Sequence, residues 1–224
     1  MQWQDVGYLL YKTNYSENSI FIDVLTLNHG LCRGIVYGGN SKKIKNYLQI
    51  GNKISLIWKS KSENKNGYFT TEIVNIISPF FFNDKKRTTC ILSSTAILKI
   101  LLAEFQINKN IYYSFENFIN NLNKIEWILD YIFWEQYLIK ELGFDMNLSR
   151  AKELEDDDKF SLINVNEKLI KFPNFILSKK VKNVSFNEIR EALIFNKKLL
   201  LENFIEPNRL KLPLSRNLLE SYYH

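Results

Sequence analysis

The amino-acid sequence predicts an α+β fold, in which an all-β region of residues 1–80 is followed by an all-α region of residues 81–224. In the first region, apolar and polar residues alternate with the period of two that is typical of β-strands. In the second region, apolar residues recur every three or four positions, as they do on one face of a helix. With 46% hydrophobic and 14% aromatic residues, the chain can bury an apolar core, which excludes a disordered protein.

Five short strands are expected in the first region. We place them at residues 3–12, 19–27, 31–38, 53–61 and 68–77. In the fourth strand Ile54, Leu56 and Trp58 alternate onto one face, which we expect to line the core. A five-stranded antiparallel barrel of the OB type fits this number and length of strands. A small sandwich or an SH3-like barrel fits the periodicity nearly as well.

Helices are expected through most of the second region. The first helix begins after Asp84, and its apolar stripe consists of Ile91, Thr95, Leu98, Leu102 and Phe105. Further helices are predicted at residues 113–122, 126–142 and 185–204, the last opened by a capping-box pattern at Ser185 and Glu188. A core stripe on the second of these consists of Trp127, Tyr131, Trp134 and Leu138. The polar segment 151–182 is expected to be irregular, and its acidic run at 153–158 to be solvated.

The charge balance permits an anionic partner but does not by itself predict one. The net charge is +6 and the isoelectric point is near 9.1. Only six of the 30 basic residues are arginines, and the abundance of Lys, Asn and Ile is typical of an AT-rich genome. Residues 1–80 hold nine Lys or Arg and five Asp or Glu, a balance of +4. The excess of positive charge per residue is therefore concentrated in the predicted barrel.

The sequence suggests neither a catalytic site nor a cofactor. The two cysteines, Cys32 and Cys90, lie far apart in the sequence and are too few ligands for a zinc site. No Ser/His/Asp or Cys/His spacing indicates nucleophilic catalysis. His29 is expected to have a structural role in a hairpin turn. No signal-peptide pattern opens the chain, and Lys99 interrupts the most apolar helix, so we expect a cytoplasmic protein with no membrane span.

Five short motifs in the first third of the chain carry a resemblance to a known family. They are Tyr15-Ser-Glu-Asn-Ser-Ile20, Leu25-Thr26-x-x-His29-Gly30, Gly38-Gly39-x-Ser41, Leu48-Gln49-x-Gly51-Asn52, and Trp58. In this order and spacing they resemble the N-terminal domain of RecO, the bacterial recombination mediator. Three later stretches resemble the family's helical domain: Trp134 to Phe144, Leu148-Ser149-Arg150, and Leu210 to Arg216.

The resemblance implies an OB fold (residues 1–80) followed by a helical bundle (residues 81–224), and it implies no catalytic turnover. Members of the family bind single- and double-stranded DNA and anneal complementary strands. They associate with RecR, engage the acidic C-terminal tail of single-stranded DNA-binding protein, and so load RecA, which implies a place at the nucleoid. Many members carry a zinc-binding insertion that begins with a cysteine where this chain has Ala151, so we expect folding without zinc.

Candidate binding residues follow from the need for positive charge along the DNA backbone and for aromatic faces that stack on bases. The DNA-binding candidates are Arg33, Tyr37, Lys42, Lys43, Lys45, Lys53, Lys59 and Lys61, with Tyr47 as a second candidate for stacking. Recognition of an acidic tail requires an apolar groove rimmed by cations. The partner-binding candidates for that rim are Lys99, Lys109, Lys140 and Arg150.

A second class of function is compatible with the same residues. Many family members have arginines beside the Gly38-Gly39 pair, but this chain has Tyr37 and Asn40 there. If the basic excess reflects only codon composition, the barrel would be a docking module of a protein-interaction adaptor that does not bind DNA. Salt-sensitive binding to bare DNA distinguishes the two hypotheses.

Overall fold

The computed structural model describes residues 1–60, 67–144, 151–154, 157–178 and 183–223. The chain forms two compact units, one of residues 1–113 with 213–216 and the other of residues 114–212 with 217–224. The α+β class is confirmed. The assignment of a DNA-binding domain to residues 1–80 and of a partner-binding domain to residues 81–224 stays a prediction.

The first unit is built on a closed barrel of five strands, at the five places predicted. They are β1 (Gln2–Ser16), β2 (Ser19–Thr26), β3 (Gly30–Tyr37), β4 (Lys53–Lys59) and β5 (Gly67–Asn75). Their order is β1-β2-β3-β5-β4, and β4 pairs with β1 to close the barrel. Every pair is antiparallel except β3 with β5, which are parallel. This closed strand order, with a helix between β3 and β4, is an OB fold and excludes the sandwich.

Every second side chain along each strand points inward, and these side chains fill the interior of the barrel. The buried side chains of its interior are Leu9, Ile20, Ile22, Val24, Cys32, Val36, Leu48, Ile54, Leu56, Trp58 and Phe69. Trp58 belongs to this core, as the periodicity of β4 predicted. Helix α1 (Lys42–Tyr47) connects β3 to β4, and its residues Ile44 and Tyr47 pack against the same core.

Parts of the outer faces of β1 and β3 are covered within the first unit. Helix α2 (Lys85–Leu101) packs beside β1, and the ammonium of Lys99 lies 3.3 Å from the ring centroid of Tyr11. This helix ends at Leu101, so the prediction that its apolar stripe continues to Phe105 is wrong. Phe105 has a φ of 59° and donates its N–H to the carbonyl of Leu31 on β3, 2.9 Å away. The backbone pairing with β3 therefore replaces the next helical turn.

Three of the remaining helices overlap the predicted ranges 113–122, 126–142 and 185–204, whereas a short helix at 175–178 lies in the segment expected to be irregular. These helices are α3 (Lys109–Asn120), α4 (Trp127–Glu141), α5 (Phe175–Ser178), α6 (Phe186–Leu200) and α7 (Leu214–Ser221), and two 3₁₀ turns (Ser78–Phe81 and Asn121–Asn123) and a π turn (Leu201–Ile205) adjoin them. The capping box is present: the Ser185 hydroxyl accepts from the Glu188 N–H, and the Glu188 carboxylate accepts from the Ser185 N–H at 3.0 Å. The stripe on α4 is buried as predicted.

The region after the barrel is not all-α, and the expectation of an irregular segment at 151–182 is wrong. Strands β6 (Lys152–Leu154), β7 (Asp157–Val165) and β8 (Lys168–Pro173) form an antiparallel sheet. Asn166 and Glu167 join β7 to β8 with φ values of 48° and 66°, the positive pair that a tight hairpin requires. Phe172 then packs in parallel on Phe195 of α6, with ring centroids 5.0 Å apart. The acidic run at 153–158 falls largely outside the residues whose side chains are described.

No helix within the described ranges combines the length and apolar character needed to cross a bilayer.

Candidate nucleic-acid interface

Three of the predicted lysines lie together on α1. The chain leaves β3 at Tyr37, turns through Gly38 at a φ of +69°, and enters α1 at Lys42. Ile44 and Tyr47 face the barrel core, so Lys42, Lys43 and Lys45 are exposed on the other side of the helix. The core contacts of α1 thus fix where these three ammonium groups are presented.

The positive charge on α1 is not neutralised locally. Among the described residues, no carboxylate lies within ion-pair distance of Lys42, Lys43 or Lys45. The lysine of β1, Lys12, donates to the carbonyl of Leu48 at 2.5 Å and to the side-chain oxygen of Gln49 at 3.1 Å. Its pKa is lowered, first by burial and then by the nearby charge of Lys45. A charged lysine that feels another lysine rather than an acid marks a positively charged surface.

We call Lys12, Lys42, Lys43 and Lys45 the α1 basic cluster. Lys12 is not among the residues predicted from the sequence, because the first strand was expected to end at this residue. In the structure β1 runs on to Ser16, and Lys12 lies beside the C-terminal end of α1. A longer strand would have been signalled by the β-branched and aromatic residues of the stretch Thr13 to Tyr15.

A second group of predicted residues meets on the outer surface of β3, β4 and β5. Tyr37 and Tyr68 are in ring contact, with centroids 5.9 Å apart and planes inclined by 55°. Tyr37 is 63% exposed and Tyr68 is 38% exposed. Lys59 of β4 is the register partner of Tyr68, so the two side chains share a face. Tyr68, which we call with Tyr37 the tyrosine pair, was missed because only the strand register brings it beside Tyr37.

Two of the DNA-binding candidates already interact with other residues of the fold. Arg33 pairs with Glu104 and lies 3.5 Å from Asp23. The pKa of Asp23 is raised because burial outweighs the attraction of Arg33. The ammonium of Lys53 lies 5.6 Å from the ring centroid of Tyr8 and 5.8 Å from that of Tyr112. Both cations are therefore engaged by neighbours in the first unit.

The remaining candidates are distributed along the chain. The hydroxyl of Tyr47 donates to the Thr71 carbonyl at 2.6 Å, which holds its ring against the barrel rather than in solvent. Lys99 and Lys109 lie in the first unit and Lys140 in the second. Lys109 and Lys140 are exposed. Lys61 and Arg150 lie outside the described residues.

His29 has the structural surroundings that the hairpin interpretation predicted. Its Nδ1 lies 2.8 Å from a carboxylate oxygen of Asp5, and its ring stacks on Trp3 with centroids 3.9 Å apart. Burial raises the pKa of the Cys32 thiol to about 12, so that thiol is protonated and a poor nucleophile. Within the described ranges, no three His, Cys, Asp or Glu side chains come together as a metal site would require.

Comparison with known proteins finds a matching family model and several similar sequences. The family model described as "Recombination protein O N terminal" matches residues 1–80. A "DNA repair protein RecO" from Ehrlichia chaffeensis is 34% identical over 166 residues, which are 73% of this chain and 67% of that protein. Proteins of the same description from Roseobacter denitrificans (31% over 149 residues) and a Wolbachia pipientis strain (30% over 155 residues) also match. These two alignments cover 66% and 67% of this chain.

The matched segments span only part of those relatives. The alignments cover 62% of the Roseobacter and Wolbachia proteins, so this chain spans a little under two thirds of their length. A solved Entamoeba histolytica asparaginyl-tRNA synthetase matches with a TM-score of 0.31 and 8% identity over 95% of this chain and 59% of that one. A score so low carries no argument.

Proposed function

We propose that this chain, which belongs to the RecO family of DNA repair proteins, acts in repair and recombination by binding DNA through the α1 basic cluster of its OB barrel. The observation that carries the proposal is the group of lysines on and beside α1 with no acid in pairing distance among the described residues. Such a surface gathers phosphates by Coulomb attraction and by release of condensed counterions.

The family supports a fuller role for the chain. In this proposal it binds both single and double strands, anneals complementary strands and acts without catalytic turnover. It works with RecR and the acidic C-terminal tail of single-stranded DNA-binding protein, and it delivers RecA onto the strand. Lys99, Lys109, Lys140 and Arg150 remain proposed contacts for such protein partners, and the nucleoid is the proposed place of action.

Phosphate contacts are assigned first to Lys42, Lys43 and Lys45, and second to Lys59 and Lys61. The first three are exposed and held by a helix that is anchored in the barrel core. Arg33 is a weaker choice, because two carboxylates already attract its guanidinium. Lys53 is half-buried over two tyrosine rings and is likewise a weaker choice.

The test is a titration of the protein into fluorescently labelled single-stranded DNA, followed by anisotropy at several salt concentrations. Each phosphate contact contributes roughly 0.7 to the slope of log K against log salt for a single strand. Replacing Lys42, Lys43 and Lys45 together by Ala is expected to weaken binding and to lower the magnitude of that slope by about 2. The α1 fold should persist, because Ala is a better helix former than Lys.

A matched variant controls for the loss of three charges. Lys152, Lys198 and Lys211 are exposed lysines of the second unit, and replacing them together by Ala removes the same net charge. This control should leave the slope unchanged. If the α1 triple variant keeps the slope of the wild type, the cluster is not the phosphate-binding surface. If the wild type shows no salt-sensitive binding at all, the adaptor function is favoured instead.

A further inference from the structure

We infer that the tyrosine pair, with Lys59 beside it, is a stacking platform for the unpaired bases of a single DNA strand. The inference rests on the proposed function and adds to it a residue-level basis for distinguishing single strands from duplex. In duplex DNA the bases are already stacked and paired, so a side chain reaches their faces only after a nucleotide is flipped out. A single strand offers those faces directly.

The first support is the exposure of two large rings at one place on a strand surface. Tyr37 ends β3 and Tyr68 lies at the start of β5, one strand away. The planes of the two rings are inclined by 55°, so neither ring covers the other as it would in a parallel stack. Tyr37 keeps 63% and Tyr68 38% of its surface in solvent. The pair therefore presents aromatic surface that the fold itself does not use.

The second support is the way the barrel fixes this position. The parallel seam of β3 with β5 consists of the register pairs Gly34 with Gly67 and Ile35 with Tyr68. A Cβ on Gly67 would collide with the indole of Trp58, so the backbone of β5 lies directly against the barrel core there. Because side chains alternate along β5, the burial of Phe69 inside the barrel directs Tyr68 outward. Tyr68 is thus held by core packing.

The third support is the positive charge on the same face. Lys59 is directly opposite Tyr68 in the antiparallel pair of β4 with β5, where facing Cβ atoms are roughly 5 Å apart. Among the described residues, no carboxylate lies within ion-pair distance of Lys59. A cation beside aromatic faces is the combination that single-strand binding proteins use to hold a phosphate next to a stacked base.

The platform and the α1 basic cluster are close enough for one strand to contact both. Lys42 lies five positions after Tyr37, so their Cα atoms are at most ~18 Å apart. One OB fold contacts roughly 4 to 16 nucleotides of a single strand. The middle of β1 and the start of β3 are unavailable, since Tyr8, Leu10 and Leu31 there are buried. Tyr37 at the end of β3, Tyr68 on β5 and the lysines of α1 are exposed, so one strand can reach all of them.

The experiment compares three probes of equal length: a thymidine strand, the same strand with abasic sites throughout its centre, and a blunt duplex. The double variant Tyr37→Ala with Tyr68→Ala is expected to bind the thymidine strand at least about fivefold more weakly. Its affinity for the duplex and for the abasic strand should match that of the wild type. Its salt slope should also be unchanged, because no phosphate contact is removed.

Two further variants separate stacking from a structural role. Tyr37→Phe with Tyr68→Phe keeps both rings and should bind the thymidine strand as the wild type does. Tyr137→Ala, at a tyrosine of α4 that is 39% exposed, as Tyr68 is at 38%, should have no effect. If the double Ala variant loses its far-UV circular dichroism, the single variant Tyr37→Ala serves in its place, because Tyr37 is mostly in solvent.

Each remaining outcome overturns the inference in a recognisable way. Equal loss on the duplex, or unchanged binding of the thymidine strand, shows that the pair does not stack on bases. A change in the sedimentation of the free protein with unchanged DNA affinity shows that the pair contacts protein, either a second copy or another chain. If the wild type binds none of the three probes, the proposed function fails as well, whereas in the other cases it stands.

Discussion

Replacing Asp5 by Ala tests how the N-terminal part of the barrel is held together. The side chain of Asp5 is only 1% exposed, yet it carries a carboxylate. It accepts four hydrogen bonds, from the N–H groups of Val6 and Asn28 at 2.8 Å, from the Asn28 amide at 3.1 Å, and from His29 Nδ1 at 2.8 Å. The carboxylate therefore joins the start of β1 to the turn between β2 and β3.

The magnitude follows from the number of donors that the substitution leaves without an acceptor. An unsatisfied buried donor costs roughly 1–3 kcal/mol, and the half-exposed His29 can turn to water instead. Asn28 is exposed, so its side-chain amide can also turn to water. Counting only the two backbone N–H donors of Val6 and Asn28 at the low end gives a loss of about 2 kcal/mol in the free energy of unfolding. Asp5→Asn keeps one acceptor oxygen, so it should lose about half as much.

The assay is urea unfolding followed by circular dichroism. With a slope of roughly 2 kcal/mol per molar urea, the midpoint of the Ala variant should fall by about 1 M. Glu72→Ala, at an exposed carboxylate of β5, is the matched control and should change the free energy of unfolding by no more than about 0.5 kcal/mol. If Asp5→Ala unfolds within 0.5 M urea of the wild type, the hydrogen bonds of Asp5 are not what fixes this turn.

The same residue predicts a dependence on pH. Burial by itself would raise the pKa of Asp5, but the hydrogen bonds from His29, Asn28 and Val6 outweigh it and lower the pKa below its usual 3.8. A carboxyl whose pKa is lower in the folded than in the unfolded chain stabilises the fold above the unfolded value, and that contribution is lost as the pH falls through the folded value. The advantage of the wild type over Asp5→Ala should thus be constant from pH 7 to about pH 5 and shrink below pH 4.

Two more predictions concern the barrel core. Gly67→Ala should lower the free energy of unfolding by about 1–3 kcal/mol, because the added methyl group would collide with the Trp58 indole, and thermal unfolding measures this loss. Burial raises the pKa of Cys32 to about 12, so this thiol should not react with a thiol reagent at pH 8 until urea unfolds the chain. The absorbance of the chromophore released by the reagent measures the reaction. A fast reaction in the native protein would contradict the burial of that thiol.

The barrel was predictable because its strands satisfy local and global requirements together. The alternation of apolar residues in β4 predicted that Ile54, Leu56 and Trp58 point inward, and all three are in the core. The capping box at Ser185 was equally predictable, since both of its hydrogen bonds are local. The choice of an OB fold over other small barrels came from the family resemblance, because periodicity specifies strands but not the order in which they pair.

What the sequence could not provide depends on register and on long-range partners. Tyr68 joins Tyr37 only because β5 pairs with β3 in parallel, a pairing between strands thirty residues apart. Arg33 appears as a free cation in the sequence, but Glu104, seventy-one residues later, pairs with it. The sheet of β6 to β8 was missed because its hairpin turns at Asn166 and Glu167 without the glycine that usually signals such a turn.

In the candidate interface, the residues proposed to contact DNA differ from those that position them. Along α1, Ile44 and Tyr47 pack on the barrel while Lys42, Lys43 and Lys45 face solvent. Because exposed lysines contribute little to stability, their substitution changes affinity without changing the fold. A change at Ile44 would act on both, since it removes core packing and misplaces the lysines together. A variant that loses affinity and salt slope at constant unfolding free energy therefore identifies a direct phosphate contact, and one that loses all three identifies a residue of the scaffold.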